Sequence, residues 1–179
     1  IVAIWKEDEF TAYGWGYPPL RTRMEGLEDA LEIATRMLGG GRATYAGPVY
    51  AVHDAINVPR GLQRPRIPIL VGGNGPNRTW RLAARFADEL NLDALTPAQV
   101  EAALPVIAER CTEVGRDPAT LAVSVHIWAG RFSKPGASRA DLLAAYQELG
   151  VSRVMGLDLA TATSDEALES VAEDASAAG

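Results

Sequence analysis

The sequence predicts an α/β fold on a parallel sheet, amounting to about half of a (β/α)8 barrel. Three observations carry this. Short apolar runs alternate with helical-period segments from residue 67 onward. The first such run ends in the glycine turn Gly72-Gly73-Asn74-Gly75. An apolar stub, Ile1-Val-Ala-Ile-Trp5, opens the chain like the end of a strand already under way. Repeated βα units require a parallel sheet with helical cover. An open doubly wound sheet is the alternative. A complete barrel usually takes about 250 residues, so the 179 present read as the C-terminal part of a longer protein. They are expected to form a single domain over 1–179.

The elements follow in order. Residues 6–19 are polar, aromatic and rich in Gly and Pro, and read as a loop. Leu20, Met24, Leu27, Leu31 and Leu38 fall at helical spacing, with Ala34 on the same face, and predict a helix over 20–38 closed by Gly39-Gly40-Gly41. Residues 43–52 read as a small hairpin about Ala46-Gly47-Pro48, within an insertion over 43–66. The βα units come next: strand 67–71, helix 77–87, strand 89–92. Thr96 then caps a helix with Pro97 at its first position, and the helix runs to Gly115 with a kink or break expected at Pro105. Strand 121–128 follows, then a helix opened by Ser138-Arg-Ala-Asp141 in capping-box form. Strand 151–157 and a helix capped by Ser164 close the chain.

Composition narrows the function. A formal net charge of −6 lacks the basic excess of a nucleic-acid binder. No run of about 18 apolar residues is present to span a membrane, and no signal segment is visible. The single cysteine, Cys111, sits on an apolar stripe and reads as core. A cytoplasmic protein with a small-molecule substrate is the expectation. No metal-ligand spacing and no nucleophile motif appears.

The glycine turn carries most of the chemistry. A strand running through glycines into a helix N-terminus leaves backbone N–H groups to hold an anion, usually phosphate. Thr79, in the first turn of that helix, adds a hydroxyl. The residues alone leave open a bare tight turn as well. On strand 121–128, Ser124, His126 and Trp128 share one face, and Asn91 lies on the matching face of its strand. Polar side chains near the C-terminal ends of parallel strands are where such folds place their sites, so His126 and Asn91 are pocket candidates. Hydrogen-bonded interior residues give the same pattern, and His53 reads as a loop residue. Glu7, Asp8 and Glu9 read as a solvated charge run. Trp5, Tyr13, Trp15 and Tyr17 either stack on a planar cofactor or seal a core edge. Arg60, Arg64, Arg66, Arg78, Arg81 and Arg85 cluster around the turn in sequence; they read by default as surface arginines, with attraction for an acidic ligand tail as the alternative.

Five segments in one order bear a resemblance: W-K-E-D-E-F-x-A-Y-G-W-x-Y-P-P-L-x-x-R-M-x-x-L-x-x-A-L-x-I (5–33), T-Y-x-G-x-x-Y (44–50), P-x-x-x-Q-R-P-x-I-P-I-L-V-G-G-N-G-P (59–76), L-A-A-R-F-A-D-x-x-N (82–91) and C-x-x-V-G-R-D-P (111–118). Together they resemble the luciferase-like monooxygenase superfamily, in particular its coenzyme F420-dependent oxidoreductases, over nearly the whole chain. The resemblance implies a (β/α)8 TIM-barrel fold of which strands 5–8 and the end of strand 4 are present. It implies that Gly72, Gly73, Asn74, Gly75 and Thr79 hold a cofactor phosphate, with Trp5 at the cofactor as well. The cofactor would be F420, with FMN as the alternative, and the activity hydride transfer to or from a small organic substrate. An FMN-dependent monooxygenase or a non-catalytic barrel remnant are the other readings. A homodimer is implied for the full barrel. The relatives' G-x-G-x-G-W at the fourth strand is here Val2-Ala3-Ile4-Trp5. No catalytic acid or base is assigned.

Overall fold

The computed structural model describes residues 7–128 and 137–178. The stub at 1–5, Trp5 included, lies outside the described residues. Contacts group the chain into two units, residues 1–68 and 69–179, and each is taken by itself.

The first unit opens with a helix, α1 (Glu7–Ala12), where the sequence reads as loop. Glu7, Asp8 and Glu9 occupy its first turn, where negative charge favours a helix N-terminus. The Thr11 hydroxyl donates to the Glu7 carbonyl at 2.8 Å. Phe10 meets Trp15 and Tyr17 edge-on, with ring centroids 6.0 and 5.4 Å apart. The aromatic stretch thus packs on itself, while the three carboxylates face solvent.

Helix α2 (Leu20–Gly39) forms as its spacing predicts. Its buried face differs from the apolar stripe, for Leu20 is exposed and Asp29 is buried beside Met24 and Leu31. The strands β1 (Arg42–Ala46) and β2 (Ala51–Ile56) pair antiparallel as a hairpin. His53, read as a loop residue, is an exposed member of β2.

Asp29 explains why a carboxylate is tolerated here. It accepts hydrogen bonds from the Val49 and Tyr50 backbone N–H groups at 2.8 and 2.9 Å, and from the Tyr45 hydroxyl at 2.8 Å. It ties the hairpin turn to α2. Burial pushes its pKa up, but the two backbone donors and Tyr45 outweigh that and hold it below the ordinary carboxylate range. Replacing Asp29 with alanine strands three donors. It is expected to cost on the order of 2 kcal/mol and to speed amide hydrogen exchange at Val49 and Tyr50; unchanged exchange there would show that the carboxylate does not hold the turn.

The second unit is a four-stranded parallel sheet in the order β3 (Leu70–Gly72), β4 (Glu89–Asp93), β5 (Ala122–Ile127), β6 (Arg153–Gly156). The first strand is shorter than the expected 67–71. Pro68 has no N–H for a ladder, and the Ile69 N–H goes to the Asp88 carboxylate at 2.6 Å instead. The helices between strands are α3 (Thr79–Phe86), α4 (Pro97–Glu113) and α5 (Ala137–Glu148), and α6 (Asp165–Ala177) follows β6.

One sheet face carries Val71, Leu90, Leu92, Val123, Val125 and Ile127, all buried. Period-2 alternation puts these residues on one side. The helices contribute Leu82, Ala83, Phe86, Val100, Ile107, Cys111 and Tyr146 to the same buried set. Cys111 is core, and burial pushes its thiol pKa up.

Caps set the boundaries. Thr96 and Gln99 form a complete capping box ahead of Pro97, and the Ser164 side chain accepts from the Ala167 N–H. The helix runs unbroken through Pro105, contrary to the expected break. Pro105 lies on the exposed side, where the carbonyl it leaves unpaired can turn to water. Ser138 falls inside α5 rather than ahead of it. Arg116 clamps the end of α3: its guanidinium donates to the Ala84 and Ala87 carbonyls at 3.1 and 2.7 Å, filling acceptors that a helix C-terminus leaves open.

Candidate functional site

The glycine turn leaves the C-terminal end of β3 and enters α3. Gly73 has φ +129°, a conformation open to glycine and rarely to other residues. Its N–H donates to the Asn91 carbonyl at 2.9 Å, so the turn begins by following β4. A Cβ on Gly75 would lie 2.9 Å from the Thr79 hydroxyl oxygen. Gly75 therefore leaves a small cradle that any side chain would fill, with the Thr79 hydroxyl facing it. Two amides are already used, Trp80 N–H to Gly75 O and Leu82 N–H to Arg78 O, both at 3.0 Å. The amides ahead of Trp80 stand at the positive end of the helix, as every helix start leaves its first N–H groups.

Asn74 behaves differently from its neighbours. Its side-chain amide donates to the Asp93 carbonyl at 2.7 Å and accepts from the Asp93 N–H at 2.9 Å. This two-way bond fixes the turn to the end of β4. The Asn74 side chain is committed there, so only its backbone is left to face an anion.

Two further groups pin the turn, and the sequence gives no signal for either. The Trp80 indole donates to the Gly73 carbonyl at 3.0 Å. Arg110, one helix on, donates to the Pro76 carbonyl at 3.1 Å, and its guanidinium also pairs with Glu113. Glu113 in turn takes Arg81 at 3.0 Å. Trp80 directly follows Thr79, whereas Arg110 lies 34 positions from Pro76 and only the tertiary fold brings it there.

The arginines expected around the turn are mostly engaged elsewhere. Arg60 donates to the Gly39 carbonyl, Arg64 to the Gly61 carbonyl and Arg66 to the Ile67 carbonyl. Arg85 lies over the Phe86 ring. Arg78 precedes α3 and is exposed.

The second sheet face is polar. Strand pairing places Gly72, Asn91, Ser124 and Arg153 in one row, and Asp93, His126 and Met155 in the next. The Asn91 side chain donates to the Ser124 hydroxyl at 2.9 Å. His126 stands nearer the C-terminal rim. Its Nδ1 is 3.8 Å from Asp93 Oδ1, and its ring is 4.6 Å from that of Trp128. The Trp128 indole donates to the same carboxylate oxygen at 2.9 Å. The two pocket candidates therefore separate. Asn91 is spent on a neighbour, while His126 joins an aromatic, acidic group at the rim.

Below that rim, Glu89 accepts two bonds from Arg153, at 2.8 and 2.6 Å. Burial raises the Glu89 pKa, but hydrogen bonds from Arg153 and Ser124 and the arginine's charge together bring it below the ordinary value. The native state thus holds this proton less readily than the unfolded chain. The stabilisation is full above the ordinary glutamate range and is lost as pH falls through the lowered native pKa. Arg153 is half exposed, which limits the pair to about 1 kcal/mol or less. Glu89→Gln is expected to be less stable than the parent at pH 7 and to converge on it toward pH 3. A gap that widens on acidification would contradict the pairing.

Among the described residues no His, Cys, Asp and Glu cluster is arranged to hold a metal ion, and no helix is long and apolar enough to cross a membrane.

Comparison with known proteins bears on this geometry. A family model described as luciferase-like monooxygenase matches residues 1–178. An F420-dependent glucose-6-phosphate dehydrogenase of Microbacterium testaceum (strain StLB037) is 32% identical over 105 residues, which is 58% of this chain and 30% of that protein. A solved F420-dependent secondary alcohol dehydrogenase, in complex with an F420–acetone adduct, is similar with a TM-score of 0.77 at 15% identity, covering 95% of this chain and 66% of that one. A riboflavin lyase solved with modified FMN and riboflavin is similar with a TM-score of 0.57 at 14% identity, covering 68% of this chain and 32% of that one. At these identities the structural likenesses establish the fold: an α/β partial barrel with four parallel strands. The chain spans less than two thirds of the length of each of these relatives.

Proposed function

Because this chain belongs to the luciferase-like monooxygenase family, we propose that it carries the cofactor-phosphate grip of an oxidoreductase that uses coenzyme F420 to move hydride to or from a small organic substrate. The observation that carries the reading is the cradle at Gly75: a turn with no room for a Cβ, a facing Thr79 hydroxyl, and a helix N-terminus directly behind. A phosphate fits these donors. The backbone of Gly72, Gly73, Asn74 and Gly75 with the Thr79 hydroxyl would hold it, and Trp5 remains part of the proposal as a ring-side contact. The bound deazaflavin supplies the hydride chemistry, while the protein supplies orientation and electrostatics.

Two relatives named as F420-dependent support F420. FMN is the second reading, favoured by the neighbour solved with a modified FMN. Both cofactors carry a phosphate, so the turn alone does not choose between them. Titration with each, followed by deazaflavin or flavin fluorescence, does. Saturable F420 binding with weak FMN binding is expected. Tight FMN binding with none of F420 reverses the choice, and binding of neither leaves a non-catalytic remnant.

A further inference from the structure

We infer that Asp93, His126 and Trp128 form a substrate-side subsite that takes an uncharged, hydroxyl-bearing group and disfavours a phosphate ester. The inference rests on the oxidoreductase reading for its context, but on different residues. These three lie on the polar sheet face, on the rims of β4 and β5, while the phosphate turn leaves β3.

The donor set selects the ligand. Asp93 is exposed, and its Oδ1 is occupied by the Trp128 indole. Among the described residues its Oδ2 takes no hydrogen bond. The His126 Nδ1 faces that carboxylate, and its ring is partly exposed. The rim therefore offers a carboxylate acceptor and an imidazole that donates or accepts through its far nitrogen. A hydroxyl both donates and accepts, so it can use both at once. A phosphate ester brings its negative charge up to the Asp93 carboxylate. An ammonium satisfies Asp93 but cannot accept a hydrogen bond from the imidazole. Trp128 stands half exposed beside them and offers an apolar ring face for the C–H side of such a ligand. Asn74 holds the Asp93 backbone from the turn, so the carboxylate starts from a fixed point.

The test uses matched probes on the chain, with and without F420: glucose against glucose 6-phosphate, glycerol against glycerol 3-phosphate, and ethylammonium, which has N–H donors and no hydroxyl, as the cationic probe. Binding is read from tryptophan emission, with Trp128→Phe identifying the reporter. The neutral member of each pair is expected to bind at least about tenfold more tightly than its ester. Asp93→Asn should narrow that ratio at least fivefold, chiefly by improving ester binding, because it removes charge and keeps shape. His126→Phe should weaken the neutral probe at least fivefold and leave ethylammonium unchanged. Circular dichroism and the unfolding midpoint verify that each variant is folded. Tighter binding of the ester or of ethylammonium to the parent chain overturns the inference. So does a ratio unmoved by Asp93→Asn, or the absence of binding by either neutral probe. F420 affinity is measured separately, so failure of the cofactor reading shows as lost F420 binding with the probe ratios intact.

Discussion

Gly75→Val is expected to lower F420 affinity by at least about 100-fold while leaving the fold intact. A valine Cβ would stand 2.9 Å from the Thr79 hydroxyl oxygen, and its two methyl groups would occupy the space in front of the helix amides. A phosphate there would lose two or more charge-assisted hydrogen bonds, each contributing about 1.5–3 kcal/mol. Every 1.4 kcal/mol is roughly tenfold in affinity. Gly75 is not at positive φ, so the substitution imposes no backbone strain of the kind Gly73 would suffer. Thr79→Val should give a smaller loss, about tenfold, because it removes one donor and keeps the shape. Fluorescence titration measures both. An F420 affinity within threefold of the parent in Gly75→Val would place the phosphate somewhere else.

The largest stability effect is expected at Arg139. Its side chain is 2% exposed and, among the described residues, reaches Asp174, Ser170 and Asp158. Nε donates to Asp174 Oδ2 at 2.7 Å, Nη2 to the Ser170 hydroxyl at 3.1 Å, and Nη1 lies 3.6 Å from Asp158 Oδ2. One guanidinium thus joins α5 to α6 and to the segment between β6 and α6. Arg139→Ala leaves two poorly exposed carboxylates facing each other across the lost cation. The expected cost is about 3–5 kcal/mol, or a midpoint lower by roughly 10 °C for a chain of this size. Arg139→Met with Asp174→Leu is expected to recover part of that, since it removes the closer ion pair and its desolvation cost, while Asp158 keeps the bond it accepts from the Ala160 N–H. Urea denaturation of the three proteins measures it. A single variant within 1 kcal/mol of the parent would show the network to be dispensable.

The sequence made the sheet legible because its signals are local. The β4 and β5 alternation, the Thr96–Pro97 start and the Ser164 cap depend on neighbours within a few residues, and each element stands where they place it. The glycine turn was legible for the same reason. What escaped depends on distant partners. Asp29 looks like an interruption of an apolar stripe until Val49, Tyr50 and Tyr45 arrive from the hairpin. Arg139 looks like a surface residue until Asp174 closes on it from thirty-five positions away. Helix α1 was hidden by its composition, because aromatic and glycine residues around it signal a loop more strongly than six residues signal a helix. The motif segments also hold structural duties. In 111–118, Arg116 closes α3 and Asp117 accepts from the Ala119 N–H at the next turn. These two residues of the motif therefore serve the fold.

The two-way bond between Asn74 and the Asp93 backbone has a thermodynamic consequence. A glycine-rich loop left free would have to be frozen by its ligand, at about 1–2 kcal/mol for each residue ordered. Here that ordering is completed when the protein folds. On the proposed phosphate reading, capture should then carry little conformational-entropy penalty. The same stiffness makes the turn a gauge. On the same reading, an anion that fits the preset turn would bind without reordering it, and a bulkier one would have to deform it.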